Sequence, residues 1–324
     1  MPLSRKSPQK EFREQANLLM CCDSGYFQHI AVCLSSLLEN NTEIDFEAVV
    51  LVTRPTTESV GKLQRSLARH RNLRLRLFDF DSSHLQDLPL KNSYPPEIFA
   101  RFWVEDYFPS SVERVIYLDG DMVVAGSVQP LLTLPMNDNV LAAVSIPGST
   151  RAALLGYDPA YEYFNSGVLV INLKRWREIG ARGLLISAAH QIADKLNDPD
   201  QDVLNYCFFR QRVKLDYIWN AITPFFREFS TLPLSPEEIS RVARNARIVH
   251  FNGSSKPWQY LSRHPYKNEY FRHLSQTEWR DFLPDDYTPF NVVKRFLSGL
   301  MGERRAIALG RTLRKLGPAG RTRP

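Results

Sequence analysis

The eight residues Arg114-Val115-Ile116-Tyr117-Leu118-Asp119-Gly120-Asp121 constrain this chain more than any others. A short β-branched and aromatic run without polar alternation predicts a strand buried on both faces, which is the habit of parallel sheets. The run ends abruptly in two carboxylates. Open α/β sheets bind their ligands outside the carboxyl ends of such strands, and positions i and i+2 of extended backbone point to the same side. Asp119 and Asp121 can therefore converge on one hard divalent cation, which prefers oxygen ligands, and Gly120 leaves room beside them. Asp and Gly are also ordinary turn residues, so Asp-x-Asp alone decides nothing.

The surrounding pattern agrees with a parallel sheet. Apolar runs at Asn17 to Cys22, Phe46 to Val52 and Leu73 to Phe78 alternate with helical patterns through Ile30 to Leu38, after Thr56 or Thr57, and from about Glu97 to Tyr107. Alternation at this spacing implies α/β crossovers, which are right-handed. Leu141 to Val144 and Gly167 to Asn172 supply further strands. Helices are expected around Leu184 to Leu196 and Asp202 to Phe209. A proline-rich second half, from Pro233 to Pro289, reads as loops wrapping the sheet. The expected architecture is one α/β domain over 15–285 with a mixed, mainly parallel sheet, followed by a basic amphipathic helical tail over 286–324.

Charge is distributed unevenly between these parts. From Asn291 to Pro324 there are nine basic residues and one acidic, a net +8, which leaves −2 for the preceding body of a chain whose total is +6. A slightly acidic body excludes a general nucleic-acid groove, and the basic end acts as a local electrostatic device. In the tail Val292, Val293, Phe296, Leu297, Leu300 and Met301 recur at near-helical spacing among Lys294, Arg295, Arg304 and Arg305. That pattern predicts an interfacial helix on an anionic membrane. Cys21, Cys22, Cys33 and Cys207 lack metal or disulfide spacing and read as reduced, packed thiols. With no signal-like or membrane-spanning apolar stretch, the expected location is cytoplasmic, peripheral on the inner face of the membrane.

A second feature is Ile248-Val249-His250-Phe251-Asn252-Gly253-Ser254-Ser255-Lys256-Pro257-Trp258. A short apolar strand delivers a histidine, and a glycine-containing loop then delivers a lysine. Beside an Asp-x-Asp they suit a third metal ligand and a cation for phosphate, with Gly253 letting backbone N–H groups approach an anion. Tyr161, Tyr163, Trp176 and Trp219 read as core aromatics, and Trp258 as a site residue.

Together these stretches resemble glycosyltransferase family 8, the nucleotide-sugar transferases that include bacterial lipopolysaccharide galactosyl- and glucosyltransferases and glycogenin-like enzymes. The resemblance runs from Asn17 to Trp258. It is carried by Cys21 to Tyr26, Ile98 to Arg101, Tyr117 to Asp121, Phe164 to Leu173, Asp200 to Asn205, Trp219-Asn220 and His250 to Trp258. It implies a Rossmann-like nucleotide-sugar-binding fold of the GT-A type. It further implies that Asp119, Asp121 and His250 hold Mn²⁺ or Mg²⁺ against the diphosphate of a UDP-sugar. Asp23 and Tyr26 would contact the uracil region, Lys256 and the Gly253 amide the phosphates, with Gly120 beside them. Arg101, Asn165, Asp200 and Gln201 would hold the sugar.

The family retains anomeric configuration, and double displacement would need a nucleophile beneath the anomeric carbon. Gln201, at the matching position, is a poor one, which favours front-face attack, with Asp200 as a rival candidate. After Leu141 to Val144 family members often carry an acidic residue that contacts the sugar, whereas this chain has Ser145-Ile146-Pro147, so the transferred hexose stays open between galactose and glucose. The expected acceptor is a lipopolysaccharide or other surface-glycan precursor, possibly lipid-linked. A glycogenin-like enzyme with a soluble or protein acceptor, and a non-catalytic nucleotide-sugar-binding protein, are the alternatives.

Overall fold

The computed structural model describes residues 13–89 and 95–301. The tail residues from 302 onward, with Arg304, Arg305 and the remaining basic positions, lie outside the described residues. Ten strands are present among those described: β1 (Glu14–Asp23), β2 (Ile44–Thr53), β3 (Leu73–Asp79), β4 (Arg114–Leu118), β5 (Met122–Val124), β6 (Leu141–Ser145), β7 (Phe164–Asn172), β8 (Arg212–Leu215), β9 (Ala221–Ile222) and β10 (Ile248–His250). Seven form one sheet in the order β3-β2-β1-β4-β7-β6-β8. The β1–β2, β2–β3, β1–β4 and β6–β8 pairs are parallel, and β7 runs antiparallel to both β4 and β6. The sheet is thus mixed and mainly parallel.

Strict alternation along the strands sends side chains to opposite faces. Leu19, Val49, Leu51, Val115, Tyr117, Leu169 and Ile171 build one core layer, with the helices Ala181–Gln191 and Pro199–Phe208 over it. Leu18, Met20, Ala48, Val50, Ile116, Leu118, Val168 and Val170 build the other, covered by the helix Phe27–Glu39. Every residue from Phe27 to Leu38 in that helix is buried, because the sheet lies on one side and the small sheet's core on another.

Chain direction decides where a ligand can enter. From β1 the chain moves outward through β2 and β3, then returns to the other side of β1 as β4. This switch point opens a crevice at the carboxyl ends of β1 and β4, the ligand position in open α/β sheets. Asp23 ends β1, and Asp119 follows β4.

Three local features depart from the sequence expectation. Pro96–Tyr107 is a 3-10 helix broken at Trp103 (φ −90°, ψ 15°), not an α-helix. Its aromatic side chains are locked into the core, and this tertiary packing overrides helix periodicity. The helix expected from Asp202 begins at Pro199, whose ring suits the first helical turn, so Asp200 and Gln201 lie inside the helix. Strand β7 starts at Phe164, with a register shift against β6 between Ala143 and Val144. Bulges of this sort re-aim side chains, and this one lies beside Asn165, Ser166 and Gly167.

A second sheet of three strands, ordered β5-β10-β9, was not expected from the sequence. In it His250 pairs with Met122 on one side and Ile222 on the other, and the Phe251 N–H donates to the Asp121 carbonyl at 3.0 Å. A strand distant in sequence thereby seats its terminal histidine against Asp121. Among the described residues no helix is long and apolar enough to cross a membrane.

Candidate active site

Asp119, Asp121 and His250 each offer a ligand atom, and these atoms lie within 4.8 Å of one another. His250 Nε2 is 3.3 Å from Asp121 Oδ1 and 3.8 Å from Asp119 Oδ2. Asp121 and His250 are buried, whereas the Asp119 side chain keeps 26% exposure and faces the crevice. Two carboxylates and one imidazole would suit a hard divalent cation. Burial alone would lift the Asp121 carboxyl. The His250 and Lys256 charges outweigh it and hold the group well below the ordinary carboxylate range.

Lys256 reaches the same point from the loop after β10. Its Nζ donates to Asp121 Oδ2 at 2.6 Å and to the Phe251 carbonyl at 2.7 Å. The turn that returns this lysine includes Gly253 at φ +83°, a left-handed conformation that favours glycine. Trp258 fixes the far end of the loop by stacking on His29, ring centroids 3.7 Å apart. Burial holds the His29 imidazole down to about 3, so a neutral ring sits there.

Arg101, Asn165, Asp200 and Gln201 form one hydrogen-bonded body with Ser166. Arg101, buried, donates from Nη2 to Asp119 Oδ1 (3.1 Å) and from Nη1 to Asp200 Oδ2 and the Ser166 carbonyl (both 3.0 Å). Its guanidinium also lies 4.0 Å from the Tyr117 ring centroid, and the Tyr117 hydroxyl donates to Asp119 Oδ1 at 2.7 Å. Burial lifts Asp200 from 3.8 to about 6; the Asp119 charge adds to this, while Arg101 and the Ser166 hydroxyl pull it down. Gln201 Oε1 accepts from Asn165 Nδ2 (2.8 Å) and the Ser166 N–H (3.0 Å), and its Nε2 donates to the Tyr163 hydroxyl (3.0 Å).

At the β1 end, Asp23 Oδ1 accepts the Tyr26 N–H at 3.1 Å and shapes the Ser24–Tyr26 turn. The turn presses the Tyr26 ring against Gly120, where an added Cβ would sit 2.9 Å from both Tyr26 and Ile30. Gly120 is thus required for close packing under the carboxylates. The cysteines contribute no thiolate: burial pushes Cys21 and Cys207 up to about 12 and raises Cys22 and Cys33 well above the ordinary thiol value.

Several residues of the site carry roles that the sequence reading did not assign. Tyr163, expected in the core, is buried yet bonds Gln201 and, at 2.7 Å, Asp202. Tyr161, also expected there, is exposed and lies beside Phe209 under Arg210. Asp202 accepts from Arg151, Tyr163 and the Asn197 and Asp198 amides, which spends its lone pairs on holding the Pro199–Phe208 helix. Gly167 lies directly behind Asp119 and His250. A Cβ there would come within 2.5 Å of His250 Cε1 and 2.7 Å of Asp119 Oδ2.

A switch-point crevice flanked by an Asp-x-Asp, a histidine and a lysine suits a phosphorylated ligand held through a divalent cation. The chain matches glycosyl transferase family 8 over residues 17–262 and belongs to that family. It is 28% identical over 287 residues to a lipopolysaccharide 1,2-glucosyltransferase of Escherichia coli, covering 86% of this chain and 84% of that one. It is 26% identical over 273 residues to general stress protein A of Bacillus subtilis, 82% and 95% of the two chains. Among solved structures, the galactosyltransferase LgtC in complex with donor and acceptor sugar analogs has a TM-score of 0.71 at 20% identity, covering 84% of this chain and 98% of that one.

Proposed function

We propose that this chain is a metal-dependent, retaining hexosyltransferase that moves galactose or glucose from a UDP-sugar to a lipopolysaccharide or other surface-glycan precursor. The observation that carries the reading is the convergence of Asp119 with the buried Asp121 and His250, with Lys256 beside them, at the switch point. The E. coli relative, named for glucosyl transfer to lipopolysaccharide, supports the acceptor class.

In this reading Asp119, Asp121 and His250 hold the divalent cation, which when bound supplies Lewis-acid neutralisation of the diphosphate leaving group. Lys256 adds positive charge and the Gly253 N–H a hydrogen-bond donor where the bridging oxygen becomes an anion, and a dry, preorganised site makes both effective. Asp23 and Tyr26 border the uracil position. Arg101, Asn165, Asp200 and Gln201 line the sugar. Front-face attack is favoured because Gln201 is uncharged and Asp200 Oδ2 is already shared between Arg101 and the Ser166 hydroxyl. The departing phosphate oxygen then takes the acceptor proton.

The helix Pro289–Met301 docks the enzyme on an anionic membrane surface, where a lipid-linked acceptor would lie. Phe290, Val293 and Phe296 are exposed on it, beside Lys294 and Arg295. Apolar side chains entering the interface and basic ones at its surface are the features of such a helix.

Thermal-shift titration with UDP-glucose, UDP-galactose and UDP-N-acetylglucosamine in Mn²⁺ tests the donor. At 100 times its dissociation constant a bound sugar nucleotide stabilises the fold by about 2.7 kcal/mol. No shift with any UDP-sugar would remove the proposal.

A further inference from the structure

His250 is oriented by a chain of hydrogen bonds whose direction is set by the backbone. The Gly167 N–H can only donate, so the atom it meets at 3.0 Å in Asn165 is Oδ1. Asn165 Oδ1 also faces Asn220 at 2.7 Å, which makes that atom of Asn220 the donor Nδ2. The other end of the same amide, Oδ1, then accepts from His250 Nδ1 at 2.9 Å. Nδ1 therefore carries a proton, and Nε2 faces Asp119 and Asp121, the nitrogen left to ligate a cation held there. The remaining end of Asn165, Nδ2, donates to Gln201 Oε1, whose identity is set by the Ser166 N–H. Asn220 and His250 are both buried, so water does not compete for these bonds.

From this network we infer that Asn220 is a positioning residue: it fixes the Nδ1–H tautomer of His250 for metal ligation and, through Asn165, ties that imidazole to the sugar-side amide of Gln201. The inference rests on the metal-site reading above and adds to it the residue on which that site's geometry depends. Metal-bound histidines commonly donate their second ring N–H to a fixed acceptor, and losing that acceptor lowers metal affinity by about 10- to 100-fold. A side-chain amide in that place is an acceptor whose own direction must be held, and Asn165 holds it. The short Trp219-Asn220 turn is then part of the site, although it contributes no ligand atom.

The test compares wild type, Asn220→Leu and Asn220→Asp. Free Mn²⁺ is counted by electron paramagnetic resonance during titration in the presence of UDP, and the ring nitrogens of ¹⁵N-histidine-labelled, Mg²⁺-loaded protein are read by NMR, with His250→Gln assigning the signal. Wild type should show a protonated Nδ1 and a bare Nε2 at His250. Asn220→Leu should weaken Mn²⁺ binding about 10- to 100-fold with mixed tautomers, and Asn220→Asp, which keeps an acceptor oxygen, should recover most of the affinity. An Nε2–H tautomer in wild type, or unchanged Mn²⁺ affinity in Asn220→Leu, would overturn the inference without need of any other variant. A wild type that binds no Mn²⁺ would instead remove the metal-site reading itself.

Discussion

Gly167→Ala adds one methyl group and no charge, yet the structure places that methyl against two of the three candidate ligands. Its Cβ would lie 2.5 Å from His250 Cε1, 2.9 Å from Nδ1 and 2.7 Å from Asp119 Oδ2. Carbon contacts settle near about 3.5–4.0 Å, so the imidazole must retreat by roughly 1 Å. Metal–ligand distances tolerate about 0.2 Å, and the ring is also held by its 2.9 Å bond to Asn220. Overpacking of this degree costs about 1–3 kcal/mol. If the metal corner bears all of it, Mn²⁺ affinity falls about 5- to 150-fold, at tenfold per 1.4 kcal/mol. The Gly167 backbone is outside the left-handed region, so alanine adds no conformational strain of its own. Gly183→Ala is the matched control. Nothing lies within 4 Å of its Cβ, it sits in the helix Ala181–Gln191, and it should gain about 0.5–1 kcal/mol of stability. Isothermal titration with Mn²⁺ and UDP, alongside thermal unfolding, reads both variants. Wild-type Mn²⁺ affinity in a folded Gly167→Ala protein would refute the placement of His250 and Asp119 around this glycine.

Asp200 titrates near 6 when folded against 3.8 ordinarily, so between these values the native state keeps a proton that the unfolded chain has lost. Its contribution to stability is fully present below pH 3.8 and is lost as pH rises through 6; Asp200→Asn should flatten the unfolding-temperature curve in that window, and an unchanged slope would count against the assignment. Gln201→Ala leaves the half-buried Asn165 amide and the buried Ser166 N–H without their acceptor, costing about 1–3 kcal/mol. It should slow transfer while UDP affinity, measured by titration, stays near wild type; a covalent glycosyl adduct on Asp200 would reverse the preference for front-face attack. Deleting Asn291 to Pro324 should release the protein from anionic vesicles and spare donor hydrolysis. Sedimentation of the truncated chain with vesicles at physiological salt would show that the tail is not the anchor.

What could be read from the sequence and what could not follow from how local each signal is. Asp119 and Asp121 were legible because both their strand and their spacing lie in eight consecutive residues. His250 and Lys256 were legible as a strand end and a loop, although their approach to Asp121 depends on β10 pairing with β5, which no local periodicity shows. Gly167 and Asn220 lie within recognised stretches, but their roles depend on the register shift against β6 and on a turn that meets β10 from the far side. The helical pattern around Arg101 was visible; its 3-10 winding was not, because packing of Phe99, Phe102 and Trp103 against the core decides it. Tyr163 reads as a core aromatic by composition, and its ring is buried as expected; only its hydroxyl, 3.0 Å from Gln201 Nε2, gives it a part in the site.

The central claim is that transfer from a UDP-sugar runs through a cation held by Asp119, Asp121 and His250. Release of UDP from UDP-glucose and UDP-galactose, measured for wild type in Mn²⁺, for wild type in EDTA, and for Asp121→Asn in Mn²⁺, tests it most directly. Asp121 meets both His250 and Lys256, so its replacement removes the shared negative centre while keeping the side-chain shape. The account predicts release in the first condition with at least one donor and none above background in the other two. Full turnover in EDTA, or by a folded Asp121→Asn protein, would contradict it.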